Sequence, residues 1–265
     1  MANEILVEIK DHVAVMTLNR PERMNAWVGE MDLLLEEWMP RLANDPEVRV
    51  LVLTGAGKGF CSGADVQGWS GGKDPTAKDS AISRRKITQS STGLILPFRE
   101  FPRPVIGAIN GVAAGAGFAL AMAADFRIGS DTARLSTMFI KRGLTPASGV
   151  TWLLPRTLGP AKALDLMLTG DWIEAPEAER LGLFNKVVPA DQLMPVTLEL
   201  ARKIARMPPI AAELTKKAVW RGMQSDLVPH LDLETHYQKL CFGTEDFKES
   251  TQAFIEKREP RFKGR

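Results

Sequence analysis

The sequence predicts an α/β protein with a mixed body and a helical end. Two observations carry that reading. Apolar, β-branched runs that stop at glycines, "VRVLVLTGAG" and "RPVIGAIN", each give way to stretches of a different period, as buried strands alternating with helices do. Beyond Pro160 the pattern becomes a series of amphipathic helical segments, almost unbroken from about residue 190. The 265 residues suit one large domain or a domain with an appendage. We divide them into a body, 1–190, and a C-terminal helical region, 191–265.

In chain order, residues 4–18 alternate apolar and polar around "KDH", which predicts two antiparallel strands joined by a tight turn. "ERMNAWVGEMDLLLEEWMPRLAND" has helical spacing, with Met31, Leu34, Leu35 and Trp38 on one side. Residues 48–57 form a buried strand ending in glycines. The segment 67–92, rich in Ser, Lys and Gly, is read as a loop with a helix from about Ile82. "DFRIGSD" and "ARLSTMF" are short strands, "PAKALDLMLTG" and "APEAERLGL" helices, and "FNKVVP" a single strand between helices. Four further helical segments complete the chain.

Composition excludes several classes. With 45% hydrophobic and 25% charged residues the chain is an ordinary globular one. A formal net charge of +2 gives no reason to invoke nucleic acid or an anionic membrane. Two cysteines, Cys61 and Cys241, do not make a disulfide framework and point to a reducing compartment. The N-terminus reads as strand rather than leader, and no run approaches the roughly 20 apolar residues of a membrane span. The expectation is a cytoplasmic protein without a membrane partner.

The glycine-rich turns carry the chemistry. In "LVLTGAGKGFCSGADV" the glycines fall at 55, 57 and 59, which does not fit a dinucleotide fingerprint, and Lys58 is followed by Gly59, which does not fit a P-loop. "GFCSG" has the form of a nucleophile elbow on Cys61, with His230 and His236 downstream, and so opens the reading of a cysteine hydrolase. Against it, "ADVQGWSGGKDPT" is a poor helix, and a buried inert thiol is the simpler account. A further reading joins this turn to "NGVAAGAGFALAMAADFRI". Two such turns can aim two backbone N–H groups at one oxygen and stabilise an oxyanion there. Tight backbone packing is the alternative use of the same residues.

Four motifs in order, "LNRPERMNA", "GKGFCSGADV", "PVIGAINGVAAGAGFALAMAADFRI" and "TEDFKESTQAFIEKREPRFKGR", resemble the enoyl-CoA hydratase/isomerase (crotonase) superfamily from about residue 5 to the C-terminus. The resemblance implies a spiral of ββα units, a C-terminal helical region used in trimer formation (a homotrimer, or a hexamer as a dimer of trimers), and an acyl-CoA thioester substrate with no other cofactor. It places the oxyanion-hole N–H groups at Ala64 and Ala116, Arg23, Met24 and Ala26 along the CoA site, and Ser62, Asp65 and Val66 near the pantetheine. It also implies that the basic end, Lys257 to Arg265, lies near a nucleotide phosphate, a solvated tail being the equal alternative.

The same resemblance exposes a gap. The positions where the family carries acids are Ala119 in "GFALAM", Phe139 in "STMFIKRG" and Ala147 in "GLTPASG". Side-chain proton transfer is typically worth about 10² to 10⁴ in rate, so an ordinary hydratase is disfavoured. Three accounts stay open: an isomerase-like enzyme whose aspartate at 147 has been replaced, another acid among Asp65, Asp74, Asp79 and Glu100, or an acyl-CoA binder with little turnover. Asp65 also reads as structural, holding nearby backbone N–H groups.

Trp27, Trp69 and Trp152 with Phe118 and Phe139 could line a wide pocket for a bulky or aromatic acyl group; packing is the plainer role for each. His12 falls in a hairpin turn. His230 and His236, six apart, do not share a helix face, and no cluster suggests a metal. Arg202, Lys203, Arg206, Lys216, Lys217 and Arg221, with Glu199 and Glu213 between them, read as a solvated helix face rather than a surface for RNA.

Overall fold

The structure, a computed structural model, describes residues 3–65 and 94–265. The alternating N-terminal segment forms β1 (Ile5–Lys10) and β2 (Val13–Leu18), antiparallel from Ile5 opposite Leu18 to Lys10 opposite Val13. Asp11 and His12 close the hairpin with φ of 52° and 63°, the left-handed pair a two-residue turn requires. Helix α1 (Gly29–Asn44) follows and buries Met31, Leu35, Met39 and Leu42, with Leu34 and Trp38 partly buried beside them.

The helix does not include "ERMNA", as the periodicity predicted. Those residues form a short 3-10 turn, Pro21–Arg23, and then Met24 and Asn25 in left-handed conformation. The cause is the buried Asn25 side chain. Its Oδ1 accepts from Arg20 N at 2.8 Å, and its Nδ2 donates to Ala56 O at 2.9 Å and Gly59 O at 2.7 Å. Two bonds to another segment and one to Arg20 outweigh a weak helical preference.

The body is a repetition of paired strands. β3 (Val50–Gly55) turns into β4 (Gly59–Cys61), and residues 66–93, which include the expected loop and the helix from Ile82, lie outside the described residues. Next come α2 (Leu96–Glu100), β5 (Val105–Ile109), β6 (Val112–Ala114) and α3 (Ala116–Ala123). β7 (Phe126–Ser130) and β8 (Arg134–Ser136) repeat the strand pair. They lead to α4 (Val150–Leu158), α5 (Pro160–Thr169), the two-residue β9 (Ile173–Glu174), α6 (Ala175–Arg180) and β10 (Lys186–Val188). Each pair puts its first strand in a six-stranded sheet, β1-β2-β3-β5-β7-β10, and its second in a four-stranded sheet, β4-β6-β8-β9. Successive units step along both sheets in parallel, which generates the spiral of ββα units.

Burial explains the unbroken apolar runs. In β3, Leu51 and Leu53 face the main core between the sheets, while Val50 and Val52 face a second core under α7 (Leu193–Ala205). Both faces of the larger sheet are therefore covered at β3, and no residue of that strand can be polar toward water. Beyond α7, α8 (Pro209–Gly222) carries the buried Lys216, α9 (Leu227–Phe242) has no buried residue, and α10 (Glu245–Glu256) buries Asp246 and Ala253. No helix among the described residues is long and apolar enough to cross a membrane.

Candidate active site

The two glycine-rich turns meet. A Cβ on Gly117 would come within 1.9 Å of Cys61 O, and one on Gly63 within 3.1 Å of Ala114 O and 3.9 Å of Ala116 N. Only a chain without side chains at these points lets the first turn of α3 rest on the end of β4.

At the first turn, Ala64 pairs with Trp27 in an isolated parallel bridge. Gly63 O accepts from Trp27 N at 2.8 Å and Asp65 N donates to Trp27 O at 2.9 Å. In such a bridge the neighbours bond the partner strand, and the central residue's own N–H points the other way. At the second turn, Gly115 (φ 52°) precedes Ala116, the first residue of α3, whose N–H has no intrahelical acceptor because it opens the helix. Among the described residues neither the Ala64 nor the Ala116 N–H donates to the backbone or to a side chain. Both residues line one cleft of about 470 Å³. The N-terminal end of the α3 dipole opens on that cleft and favours negative charge there.

Most of the residues anticipated for this region are brought together. Arg23, Met24, Ala26, Ser62 and Asp65 line the same cleft, as does Phe139. Val66 lies outside the described residues, with Trp69, Asp74 and Asp79. The Asp65 carboxylate is engaged: its Oδ2 accepts from Arg20 Nη2 at 3.0 Å, and Arg20 Nη1 donates to Ala26 O. Asp65 thus ties the two walls of the cleft together through an arginine rather than through backbone amides alone.

Others fall elsewhere. Ala119 is fully buried in the main core, one helical turn behind Ala116, and does not line the cleft. Ala147 is exposed on the turn 144–149, whose first residue, Leu144, does line it. Glu100 and Trp152 line a second cavity, between α2, α4 and α8. Phe118 is in the core, and Trp27 is buried with its Nε1 donating to Asp32 at 2.9 Å. No residue from Lys257 to Arg265 lines the cleft; Lys263 N and Gly264 N donate to Asp246, and Arg258 pairs with Glu249 at 2.6 Å.

The hydrolase reading of Cys61 is overturned. The thiol is fully buried in β4, and burial pushes its pKa up to about 12, so no thiolate forms near neutrality. Neither histidine approaches it: His230 faces Glu234 at 3.5 Å and His236 packs on Tyr237, all on α9. His12 Nδ1 lies 3.0 Å from Glu47 O. Among the described residues no cluster of three His, Cys, Asp or Glu could hold a metal. Lys216 departs from the solvated helix face expected for it. It is buried, with Nζ 2.8 Å from Asp125 Oδ2.

The sequence reading missed the residues that hold the cleft in shape. Asn25 pins its entrance segment, and Asn110 Nδ2 donates to Gly57 O and Gly59 O, clamping the β5–β6 turn to the β3–β4 turn. Arg142 and Glu22 also line the cleft. An Asn directly before a glycine in "ING", and another two residues after Arg23 in "ERMNA", were the available signals.

Two turns that meet, with N–H groups that make no bond among the described residues and face one cleft, have the geometry to hold and polarise a carbonyl oxygen. The model of the enoyl-CoA hydratase/isomerase family matches residues 8–265, and the chain belongs to that family; it is an acyl-CoA hydratase/isomerase-type enzyme. It is 39% identical over 267 residues to 1,2-epoxyphenylacetyl-CoA isomerase of Escherichia coli, with all of both chains covered. It is 39% identical over 261 residues to short-chain-enoyl-CoA hydratase of Clostridium acetobutylicum, covering 97% of this chain and 96% of that one. Among solved structures, enoyl-CoA hydratase from Bacillus anthracis superposes with a TM-score of 0.91 at 35% identity, covering 99% of this chain and all of the other.

Proposed function

We propose that the cleft holds the thioester carbonyl of an enoyl-CoA between the N–H groups of Ala64 and Ala116 and isomerises its double bond through the enolate. The observation that carries this is the pair of N–H groups, unbonded among the described residues, on two touching turns. Negative charge that develops on the thioester oxygen when an α-proton leaves is met there by two donors and a helix N-terminus. Returning the proton to the γ-carbon completes the shift of the double bond. Hydration needs two placed acids, and Ala119 lies in the core while Phe139 offers only an apolar wall. Asp65, paired with Arg20, positions the Ala64 turn; the proton-transfer group belongs at or beside the 144–149 turn.

Arg23, Met24, Ala26 and Ser62, with Val66, are read as the CoA wall. Arg23 and Arg142 supply positive charge for its phosphates, and no cofactor beyond the substrate is required. The chain is read as a homotrimer or hexamer. Leu227, Val228, Phe254 and Ile255 are all more than 65% exposed on α9 and α10, an apolar area that further copies would cover. The two free cysteines fit a cytoplasmic enzyme.

The test is incubation with saturated, 2-enoyl and 3-enoyl CoA thioesters, straight-chain and aromatic, with products followed by chromatography and binding by calorimetry. Interconversion of 2- and 3-enoyl thioesters is expected. Water addition as the dominant reaction refutes the isomerase assignment, and failure to bind any thioester refutes the cleft.

A further inference from the structure

The second cavity, of about 850 Å³, is built around charge that the cleft does not use. Behind two of its lining residues, Asp125 accepts from Lys216 Nζ at 2.8 Å and from Trp220 Nε1 at 3.0 Å, and also from Val105 N at 2.8 Å. Lys216 also donates to Phe98 O and Arg103 O, so its three protons are spent. Arg99 and Arg127 lie close enough to feel the same carboxylate, and burial pushes both guanidiniums down to about 10. Arg127 is satisfied by Leu183 O and Ala124 O.

Arg99 is not satisfied. It lies over the Trp220 ring, its Nη1 is buried, and among the described residues no acceptor bonds that atom and no carboxylate pairs with the group. Two carboxylates line the cavity, but Glu213 is held by Arg103 Nε at 3.2 Å and Glu100 is exposed, so neither pairs with Arg99; the apolar walls include Ile95, Trp152 and Leu153. Uncompensated buried charge of this kind is costly, and an anion entering the cavity relieves it.

We propose that this cavity binds the carboxylate of an apolar or aromatic acid, with the Arg99 guanidinium as its counter-ion and Trp152 and Trp220 against its hydrocarbon body. The carboxylate can come from a free acid or from the far end of a dicarboxylic acyl thioester. The turn 144–149 walls both spaces, Leu144 the cleft and Gly149 the cavity, so the far end of an acyl group has a short path between them. This second source rests on the reading of the cleft as an acyl-CoA site; the first does not.

Tryptophan fluorescence and calorimetry on the full chain decide the matter. Hexanoate and phenylacetate are compared with 1-hexanol, and adipoyl-CoA with hexanoyl-CoA. The carboxylate-bearing member of one set is expected to bind at least about tenfold tighter, the worth of a charge-assisted hydrogen bond. A preference for hexanoate identifies the free acid as the ligand, and one confined to adipoyl-CoA identifies the thioester. In Arg99→Met the ratio is expected to fall to about one, and in Arg99→Lys to fall several-fold, because the charge remains without the planar fork. No preference in either set, or a preference that survives Arg99→Met, overturns the proposal. If Arg99→Met does not fold by circular dichroism, the wild-type ratios and Arg99→Lys decide instead. If hexanoyl-CoA itself does not bind, the cleft reading has failed, and the comparison of hexanoate with hexanol still judges the cavity.

Discussion

Replacing Ala116 by proline removes one proposed oxyanion donor with little disturbance to the helix that carries it. Ala116 is the first residue of α3, the one helical position where proline costs no hydrogen bond and its fixed φ is already suitable. The residue before it is Gly115 at φ 52°, ψ −114°, the mirror image of the extended region, so the restriction that proline imposes on its predecessor is met by glycine. Stability should therefore change by about 1 kcal/mol or less. Catalysis should not be spared, because a ring methylene replaces the N–H. Loss of one such donor removes about 3 kcal/mol of transition-state stabilisation, or 10² to 10³ in rate. The assay is kcat/KM on whichever enoyl thioester the wild type turns over, beside a thermal melt of the same preparation. A variant that melts like wild type and keeps kcat/KM within about threefold would refute the role given to Ala116.

Three other expectations follow from particular residues. Ala147→Asp should raise isomerase turnover by about 10² if the 144–149 turn is where the acid belongs; no gain in a folded variant that binds substrate removes that placement. Asn25→Ala should cost about 3 kcal/mol, read as a lower urea midpoint, since it removes three hydrogen bonds, leaves Arg20 N and Ala56 O without their side-chain partner, and puts alanine at a φ of 56°. Asn25→Asp, which keeps an acceptor for Arg20 N but sets a buried carboxylate oxygen against Ala56 O and Gly59 O, should cost at least as much. The buried Cys61 thiol holds its proton to about pH 12, whereas in the unfolded chain it ionises near 9. Unfolding then releases a proton above pH 9, and stability should fall there by about 1.4 kcal/mol per pH unit through this one group. A pH series of unfolding midpoints in which Cys61→Ala has the same alkaline slope as wild type would contradict the burial.

Much of the fold was legible because its signals are local. The β1–β2 hairpin, the all-buried β3 and the helices beyond Pro160 follow from alternation, from β-branched runs and from the 3.6-residue period, which depend on neighbours a few positions away. The Ala64 and Ala116 turns were readable for the same reason: glycine and alanine at those places have few uses other than close backbone approach.

Three matters were decided only when distant segments met. "ERMNA" has helical spacing, yet Asn25 bonds to residues more than thirty positions away and unwinds it. Lys216 looked like a solvated charge until α8 laid it against Asp125, ninety-one residues earlier in the chain. Ala119 and Ala147, two positions where the resemblance led us to expect acids, part company: one lies in the core and the other on an exposed turn. Periodicity reports which side of an element is apolar. It carries no record of which buried polar group finds a partner, because that partner is supplied by a segment the period does not reach. The sequence by itself therefore determined the strand and helix order and the two backbone turns. Tertiary packing alone decided how those turns touch, which charges are buried, and where the second cavity opens.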